Sequence, residues 1–285
     1  WLAAGALAFA GALAYAELAA VRPKAGGEYV YLHAAFGRIA AFLTGWTSFV
    51  AGFSGAIAAN SLFLALYLSR FIPIAGSDQA FLSLPLGPVT LSLSPQTTTA
   101  IVTVWVLSWI HLRGVGPGRL VGNVLASLKV SALLLFIVFG FAFGTGSLGH
   151  FTMPAATPTA GSWLFALVPV LFAYAGWNAA SYVAEEIRDP GRNVPKALAI
   201  GTIAVVAIYL LLNALYLFVF PVEELAAVRG SVLDVIADRL LGRRAGDVMG
   251  MVSIISLLAS NSAMIFVGPR VYYAMARDGM FFPEA

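Results

Sequence analysis

The sequence predicts an all-α protein that is embedded in a membrane. Sixty per cent of its 285 residues are hydrophobic, only 10% are charged, and the mean hydropathy is +0.90. Soluble domains carry about a quarter charged residues, so this chain has too few polar side chains to cover a surface that faces water. Its apolar residues also fall into runs that are long enough to cross a bilayer as helices.

The apolar runs predict about seven transmembrane helices. They cover residues 2–20, 39–69, 98–112, 120–143, 163–184, 197–220 and 247–275. Several are separated by tight turns rich in proline and glycine, such as RPKAGG after the first run and DPGRNVP before the sixth. We expect a short hairpin in loop 71–97, where Ser, Leu, Pro and Gly alternate. Loop 221–246 mixes acidic with aliphatic residues, which is typical of short surface helices.

Basic residues predict which side of the membrane each loop occupies. Cytoplasmic loops carry an excess of lysine and arginine. One set of loops, with the C-terminal tail, holds ten basic residues and the other set holds five. The ten are Arg22, Lys24, Arg38, Arg113, Arg119, Arg188, Arg192, Lys196, Arg270 and Arg277. The five are Arg70, Arg229, Arg239, Arg243 and Arg244. We therefore expect a multi-pass protein of the plasma (inner) membrane, with loops 22–38, 113–119 and 186–196 in the cytoplasm.

Residues 163–196 form the most informative segment. Its apolar run is interrupted by Pro169, Gly176 and Asn178. Proline removes a backbone donor and glycine weakens a helix. Inside a bilayer such a break is tolerated only against protein or a watery cavity, and interrupted spans are typical of the binding sites of carriers. The sequence therefore predicts a membrane carrier whose chain unwinds near Tyr174–Gly176.

Three segments carry a family resemblance. Ala14–Gly37 (AYAELAAVRPKAGGEYVYLHAAFG), Phe172–Lys196 (FAYAGWNAASYVAEEIRDPGRNVPK) and Gly268–Phe281 (GPRVYYAMARDGMF) resemble signatures of the amino acid–polyamine–organocation (APC) superfamily. The chain is most similar to the branch that includes the L-type exchangers. The resemblance implies a leucine-transporter-type fold with two inverted repeats, of which this chain would hold helices two to eight. We therefore expect residues 1–285 to form a single transmembrane transporter domain that is truncated at both ends.

The resemblance also implies a substrate site at the unwound segment. The backbone carbonyls of Phe172, Ala173 and Gly176 would face the amino group of an amino acid. Trp177 would shape the side-chain pocket, Phe172 would act as a lid, and Asn178 would donate a hydrogen bond to the substrate. The alternative from the residues alone is a helix kink whose Trp and Asn only pack against their neighbours.

Lys129 is the candidate for ion or proton coupling. It lies about nine residues into its span, roughly 13 Å from the end, and a lysine at a helix centre costs about 2.5–3.5 kcal/mol. By resemblance it occupies the place where sodium-coupled relatives bind their ion. It would either exchange a proton in each cycle or stay charged in place of sodium; a snorkelling lysine without a role is the third alternative.

Ser256 and Ser260 would supply oxygens near Lys129, while Ser54 and Gly55 would leave room beside the substrate. For all four small residues, close helix packing is the alternative.

Acidic residues at the cytoplasmic ends of spans are candidates for an inner gate. Glu17, Glu185 and Glu186 lie close in sequence to four basic residues, namely Arg22, Lys24, Arg188 and Arg192. Paired charges there would break when the carrier opens inward. Ordinary interfacial ion pairs, each worth under about 1 kcal/mol, are the alternative.

Other function classes find little support in the sequence. The three histidines share no metal-ligand spacing, no nucleophile–base arrangement appears, and the chain has no cysteine, so we expect neither an enzyme nor a cofactor. The basic residues lie at the ends of apolar runs, so the net charge of +3 does not indicate nucleic acid. A seven-helix receptor that holds retinal on Lys129 would need a counter-ion at mid-membrane depth, and the acidic residues lie elsewhere. A channel is the remaining alternative.

The sequence thus predicts a secondary active transporter of amino acids that works by alternating access in the lipid bilayer. We expect neutral substrates, because no acidic residue is evident in the visible half of the pocket. Proton symport and exchange both stay open, as do the direction of transport, the oligomeric state and any partner subunit.

Overall fold

The computed structural model describes residues 1–87, 89–153, 159–228 and 231–283, so Arg229 lies outside the described residues. Helices dominate it, as predicted. In chain order the α-helices are α1 (Leu2–Val21), α2 (Glu28–Phe36), α3 (Arg38–Thr47), α4 (Phe53–Leu68), α5 (Pro95–Leu112), α6 (Val115–Phe143), α7 (Ala160–Ala173), α8 (Ala179–Tyr182), α9 (Pro190–Val219), α10 (Val222–Ala227), α11 (Val232–Leu241), α12 (Arg243–Val267) and α13 (Pro269–Arg277). A π-helical turn, Ser48–Gly52, joins α3 to α4.

The described residues contain five helical segments that are long and apolar enough to cross a membrane. They are Leu2–Val21, Arg38–Leu68, Val115–Phe143, Pro190–Val219 and Arg244–Arg277. Two of the seven predicted spans fall short of this standard. Helix α5 begins with the polar run PQTTT, and in the predicted span 163–184 the helix is interrupted after Ala173. The protein is a multi-pass integral membrane protein.

Two loop predictions are confirmed. Within loop 71–97, strands β1 (Leu82–Leu86) and β2 (Val89–Leu93) pair antiparallel, with Leu84 opposite Leu91. Loop 221–246 contains the two short helices α10 and α11. Helix α2 was not predicted, because its nine residues are too few for a span and hydropathy gives no sign of so short a helix. The helix lies between Gly27 and Gly37, which both have positive φ (55° and 82°) and delimit it on either side.

The chain divides into two compact units. The first comprises residues 1–50, 148–223 and 267–283, and the second comprises residues 51–147 and 224–266. The unwound segment and the acidic gate candidates belong to the first unit. The second unit holds Ser54, Gly55, Lys129, Ser256 and Ser260.

Small residues form the core of the first unit along α1. One face of this helix is buried and made of alanine, at positions 4, 8, 12, 16 and 19. These alanines let α1 approach α9 closely, where Val194 and Leu198 are buried. The close packing continues at Gly5, where an added Cβ would lie 3.0 Å from the Val206 side chain and 3.1 Å from the Tyr174 hydroxyl. Helix α1 therefore forms one wall beside the segment that follows α7.

Candidate functional site

The predicted break in the fifth span is confirmed around Gly176 and Asn178, whereas Pro169 lies inside the continuous helix α7. Helix α7 ends at Ala173 and helix α8 begins at Ala179, so Tyr174–Asn178 is an unwound segment of five residues. Gly176 lies in the left-handed region at φ = 96°, which side-chain-bearing residues rarely adopt. The glycine in the apolar run therefore provides the turn that ends the helix.

The three carbonyls implied by the family resemblance each already accept one hydrogen bond. The Phe172 carbonyl accepts from the Ala175 N–H at 3.0 Å, and the Gly176 carbonyl accepts from the Ala179 N–H at 3.0 Å. The Ala173 carbonyl accepts from the hydroxyl of Tyr209, at 2.9 Å. A carbonyl oxygen has two lone pairs, so each of the three keeps one for a further donor.

Three other carbonyls of the unwound segment are bare. Those of Tyr174, Ala175 and Trp177 accept no hydrogen bond from the residues that the structure describes. Ala175 and Gly176 are exposed, so this stretch of backbone is open to a ligand. A buried carbonyl without a partner costs free energy in a membrane, and an ammonium group carries the donors that would satisfy it. The sequence indicated the right segment, but the bare carbonyls lie at neighbouring positions.

The aromatic side chain of Trp177, near the end of the segment, faces protein, whereas that of Phe172 does not. The Trp177 ring packs edge-on against Tyr15 of α1, with centroids 4.9 Å apart. A Cβ added at Gly11 would lie 3.0 Å from the same indole ring. Trp177 thus packs the unwound segment against α1. Phe172 is 79% exposed and makes no such contact among the described residues.

Glu28 is a site residue that the sequence reasoning missed. The Asn178 side-chain nitrogen donates to Glu28 Oε2 and to the Tyr182 hydroxyl, at 3.3 Å each. The Tyr182 hydroxyl donates to the same carboxylate oxygen. The expectation of neutral substrates counted no acidic residue in this half of the pocket, but the start of α2 brings Glu28 within hydrogen-bond distance of Asn178. The acidic residue directly after Gly26–Gly27, inside the first family signature, was the available signal.

The coupling candidates of the second unit are not joined by hydrogen bonds. Lys129 is half-buried near the middle of α6 and has no hydrogen bond or ion pair with the described residues. Ser256 and Ser260 are half-buried in α12. The oxygens proposed for Lys129 are thus not bound to it in this structure, and the idea that they serve it stays a prediction.

Ser54 and Gly55 are exposed and lie in the first turn of α4, just after the π-helical turn Ser48–Gly52. A Cβ added at Gly55 would meet nothing within 4 Å, so space is available beside it. Turns of this type are frequent at functional sites, and the hydropathy pattern gave no sign of this one.

The gate candidates Glu185 and Glu186 form ion pairs, but with other partners than those suggested by the sequence. Glu186 binds Arg270 through two contacts of 2.8 and 3.3 Å. Glu185 binds Arg277 Nη1 at 3.1 Å and accepts from the Ala25 N–H at 3.1 Å. Both arginines belong to α13, more than 80 residues further along the chain, which is why sequence proximity pointed elsewhere. Glu17 is exposed on α1 and forms no ion pair with the described residues.

These contacts predict an acid-dependent stability. The Ala25 N–H, and then Arg277, lower the pKa of Glu185 below its ordinary value of 4.5. A lowered carboxyl pKa stabilises the fold above the unfolded-state pKa, and the stabilisation is lost as the pH falls through the folded-state pKa. We expect the thermal midpoint of the wild type to exceed that of Glu185→Gln above about pH 4.5, by a shift that corresponds to under about 1 kcal/mol because solvent screens the pair. The gap should close at lower pH, and a gap of equal size at pH 3 and pH 7 would contradict the assignment.

Comparisons with known proteins give a consistent result. A family model described as "Amino acid permease" matches residues 1–283. The chain is 32% identical over 282 residues to the b(0,+)-type amino acid transporter 1 of Mus musculus, covering 98% of this chain and 55% of the relative. It is 28% identical over 286 residues to the large neutral amino acids transporter small subunit 2 of Homo sapiens, covering 98% and 50%. The chain thus spans about half the length of the curated relatives it matches.

Proposed function

The chain belongs to the amino acid permease family, and we propose that the protein carries amino acids across a membrane by alternating access. The observation that supports this most is the unwound segment Tyr174–Asn178, with its three bare carbonyls. We place the α-ammonium group of the substrate against these carbonyls, because an ammonium is a compact donor of three hydrogen bonds. Residues 1–285 would contribute to a single transporter domain, and the plasma membrane is its proposed location.

The contact between Glu28 and Asn178 bears on the charge class of the substrate. The argument for neutral amino acids depended on the absence of an acidic residue near the site, and Glu28 removes that premise. The family assignment favours a carrier over both rivals, the retinal-binding receptor and the channel.

Transport assays test the proposal. The full-length protein, reconstituted in liposomes, should take up radiolabelled amino acids with saturation, and internal unlabelled amino acid should accelerate uptake by counterflow. A channel would give neither saturation in this range nor counterflow, so uptake that rises linearly with concentration would contradict a carrier.

Lys129 is our proposed coupling residue. It lies deep in α6 without a polar partner among the described residues, and an unpaired lysine at this depth needs a functional reason. We expect Lys129→Met to abolish the pH dependence of uptake if the lysine exchanges a proton, or to reduce uptake at all pH values if it replaces sodium. The reduction should be about tenfold or more, because the charge that takes the place of the ion would be lost. Unchanged uptake with an unchanged pH profile would rule out both roles.

The inner gate is proposed to consist of the pairs Glu185–Arg277 and Glu186–Arg270. Both acids follow α8, directly after the unwound segment, so a movement of this segment would pull on them. Glu17, without an ion-pair partner in the described part of the chain, stays a weaker candidate for the same gate.

A further inference from the structure

Among the described residues, the hydrogen bonds of Asn178 leave its amide with a free oxygen and one free N–H. An amide group has two N–H donors and one carbonyl acceptor. Glu28 Oε2 and the Tyr182 hydroxyl are hydrogen-bonded to each other and both lie 3.3 Å from Asn178 Nδ2, in nearly the same direction, so they share one N–H. The side-chain oxygen of Asn178 accepts no hydrogen bond from the described residues. Asn178 can therefore offer an acceptor to a ligand, besides the donor that the sequence suggested.

Glu28 fixes this orientation. Its carboxylate is half-buried and forms no ion pair with the described residues, so its two recorded partners are the neutral groups of Asn178 and Tyr182. A carboxylate can only accept hydrogen bonds, so it can bind the N–H side of the amide and not its oxygen. Exchange of the two ends of the amide would point an oxygen at the carboxylate and leave its charge unsolvated.

The two glycines that precede Glu28 hold the start of α2 against Tyr182. The Gly26 N–H donates to the Tyr182 carbonyl at 3.1 Å. Gly27 has φ = 55°, and a Cβ there would lie 2.7 Å from the Tyr182 ring, so this close approach requires glycine. Tyr182 itself is 5% exposed. The start of α2 and the α8 helix are therefore held together on both sides of the carboxylate.

We propose that Glu28 is a positioning residue of the amino acid site, which turns the Asn178 side-chain oxygen toward the substrate as an acceptor for its ammonium group. This inference rests on the proposed function. The Asn178 oxygen would extend the row of bare carbonyls at Tyr174, Ala175 and Trp177. The unwound segment then presents a row of acceptors, which suits a ligand with several donors on one atom.

A reversal of the hydrogen bond tests this role. Asn178→Asp places a carboxylate against the Glu28 carboxylate, and we expect the KM for an amino acid to rise about tenfold or more, since hydrogen bonds to charged groups are worth about 1.5–3 kcal/mol. In the double variant Asn178→Asp with Glu28→Gln, the glutamine can donate to the new aspartate. The acceptor toward the substrate is kept, so KM should return to within about threefold of the wild-type value.

Matched variants complete the experiment. Glu28→Ala should raise KM more than it lowers kcat, and Tyr182→Phe, which removes one hydroxyl, should raise it less. Glu223→Gln makes the same chemical change as Glu28→Gln at an exposed position in α10 and should leave KM unchanged. Thermal midpoints of all variants separate loss of fold from loss of binding.

The outcomes are distinguishable. Saturable uptake by the wild type, with loss in Asn178→Asp and recovery in the double variant, supports the positioning role. If the wild type transports but the double variant is as impaired as Asn178→Asp, or if Glu28→Ala binds like the wild type, the role of Glu28 is contradicted and the proposed function stands. A wild type without saturable uptake contradicts the proposed function, and this inference with it.

Discussion

Replacing Gly176 by alanine should reduce amino acid uptake by about tenfold. Gly176 has φ = 96°, and an L-residue forced into the left-handed region costs about 1–2 kcal/mol. The space around it is open, with nothing within 4 Å of an added Cβ, so the effect would come from the backbone and not from a clash. The segment would relieve the strain by rewinding toward a helix, which would pair the bare carbonyls. Uptake and binding affinity in reconstituted protein measure this effect.

Gly201 provides the matched control. It lies inside α9 with helical backbone, and an added Cβ also meets nothing within 4 Å. Gly201→Ala should therefore leave uptake unchanged and raise stability slightly, since alanine favours a helix over glycine by about 1 kcal/mol. Equal losses in the two variants would show that the conformation of Gly176 has no special role.

Replacing Trp177 by alanine should give the largest loss of stability. The indole packs edge-on against Tyr15 at 4.9 Å and lies against Gly11, so its removal leaves a cavity between the unwound segment and α1. Truncation of a buried tryptophan costs about 3–5 kcal/mol, and we expect about 2–3 kcal/mol for this half-buried ring. Thermal unfolding in detergent would record the loss, and Trp177→Phe should recover most of it.

Trp105 is the matched control for this change. It is 74% exposed on α5, so Trp105→Ala removes the same side chain without opening a cavity and should change stability by under about 0.5 kcal/mol. If Trp177→Ala is equally mild, the indole does not fasten the segment to α1, and the pocket-shaping role implied by the family resemblance becomes the better interpretation.

Local chemistry explains why parts of the fold were predictable. The break after Ala173 was predictable because Gly176 and Asn178 lie close together in one apolar run, where glycine weakens a helix and asparagine favours a turn. The hairpin at residues 82–93 and the surface helices α10 and α11 were likewise visible as alternation of residue types. Each of these depends on a few neighbouring residues.

Contacts between distant parts of the chain explain what was missed. Glu28 and Asn178 are 150 residues apart, and Glu185 and Arg277 are 92 apart, so no local pattern relates them. The acidic residues were expected to pair with basic neighbours in sequence, whereas α13 supplies the arginines. The bare carbonyls are a backbone property that depends on which donors the fold leaves in reach. Residue identity alone does not determine it.

The central claim is that Tyr174–Asn178 is unwound, open to water and occupied by the substrate amino acid. These 285 residues contain no cysteine, so Ala175→Cys introduces the one thiol among them. Ala207→Cys, at an exposed position on the apolar helix α9, is the control that we expect to face lipid. A small charged thiol reagent should modify Ala175→Cys rapidly, a saturating transported amino acid should slow this reaction about tenfold or more, and Ala207→Cys should stay unreactive. An Ala175→Cys thiol that is as inert as the control, or one whose labelling no amino acid slows, would contradict the account.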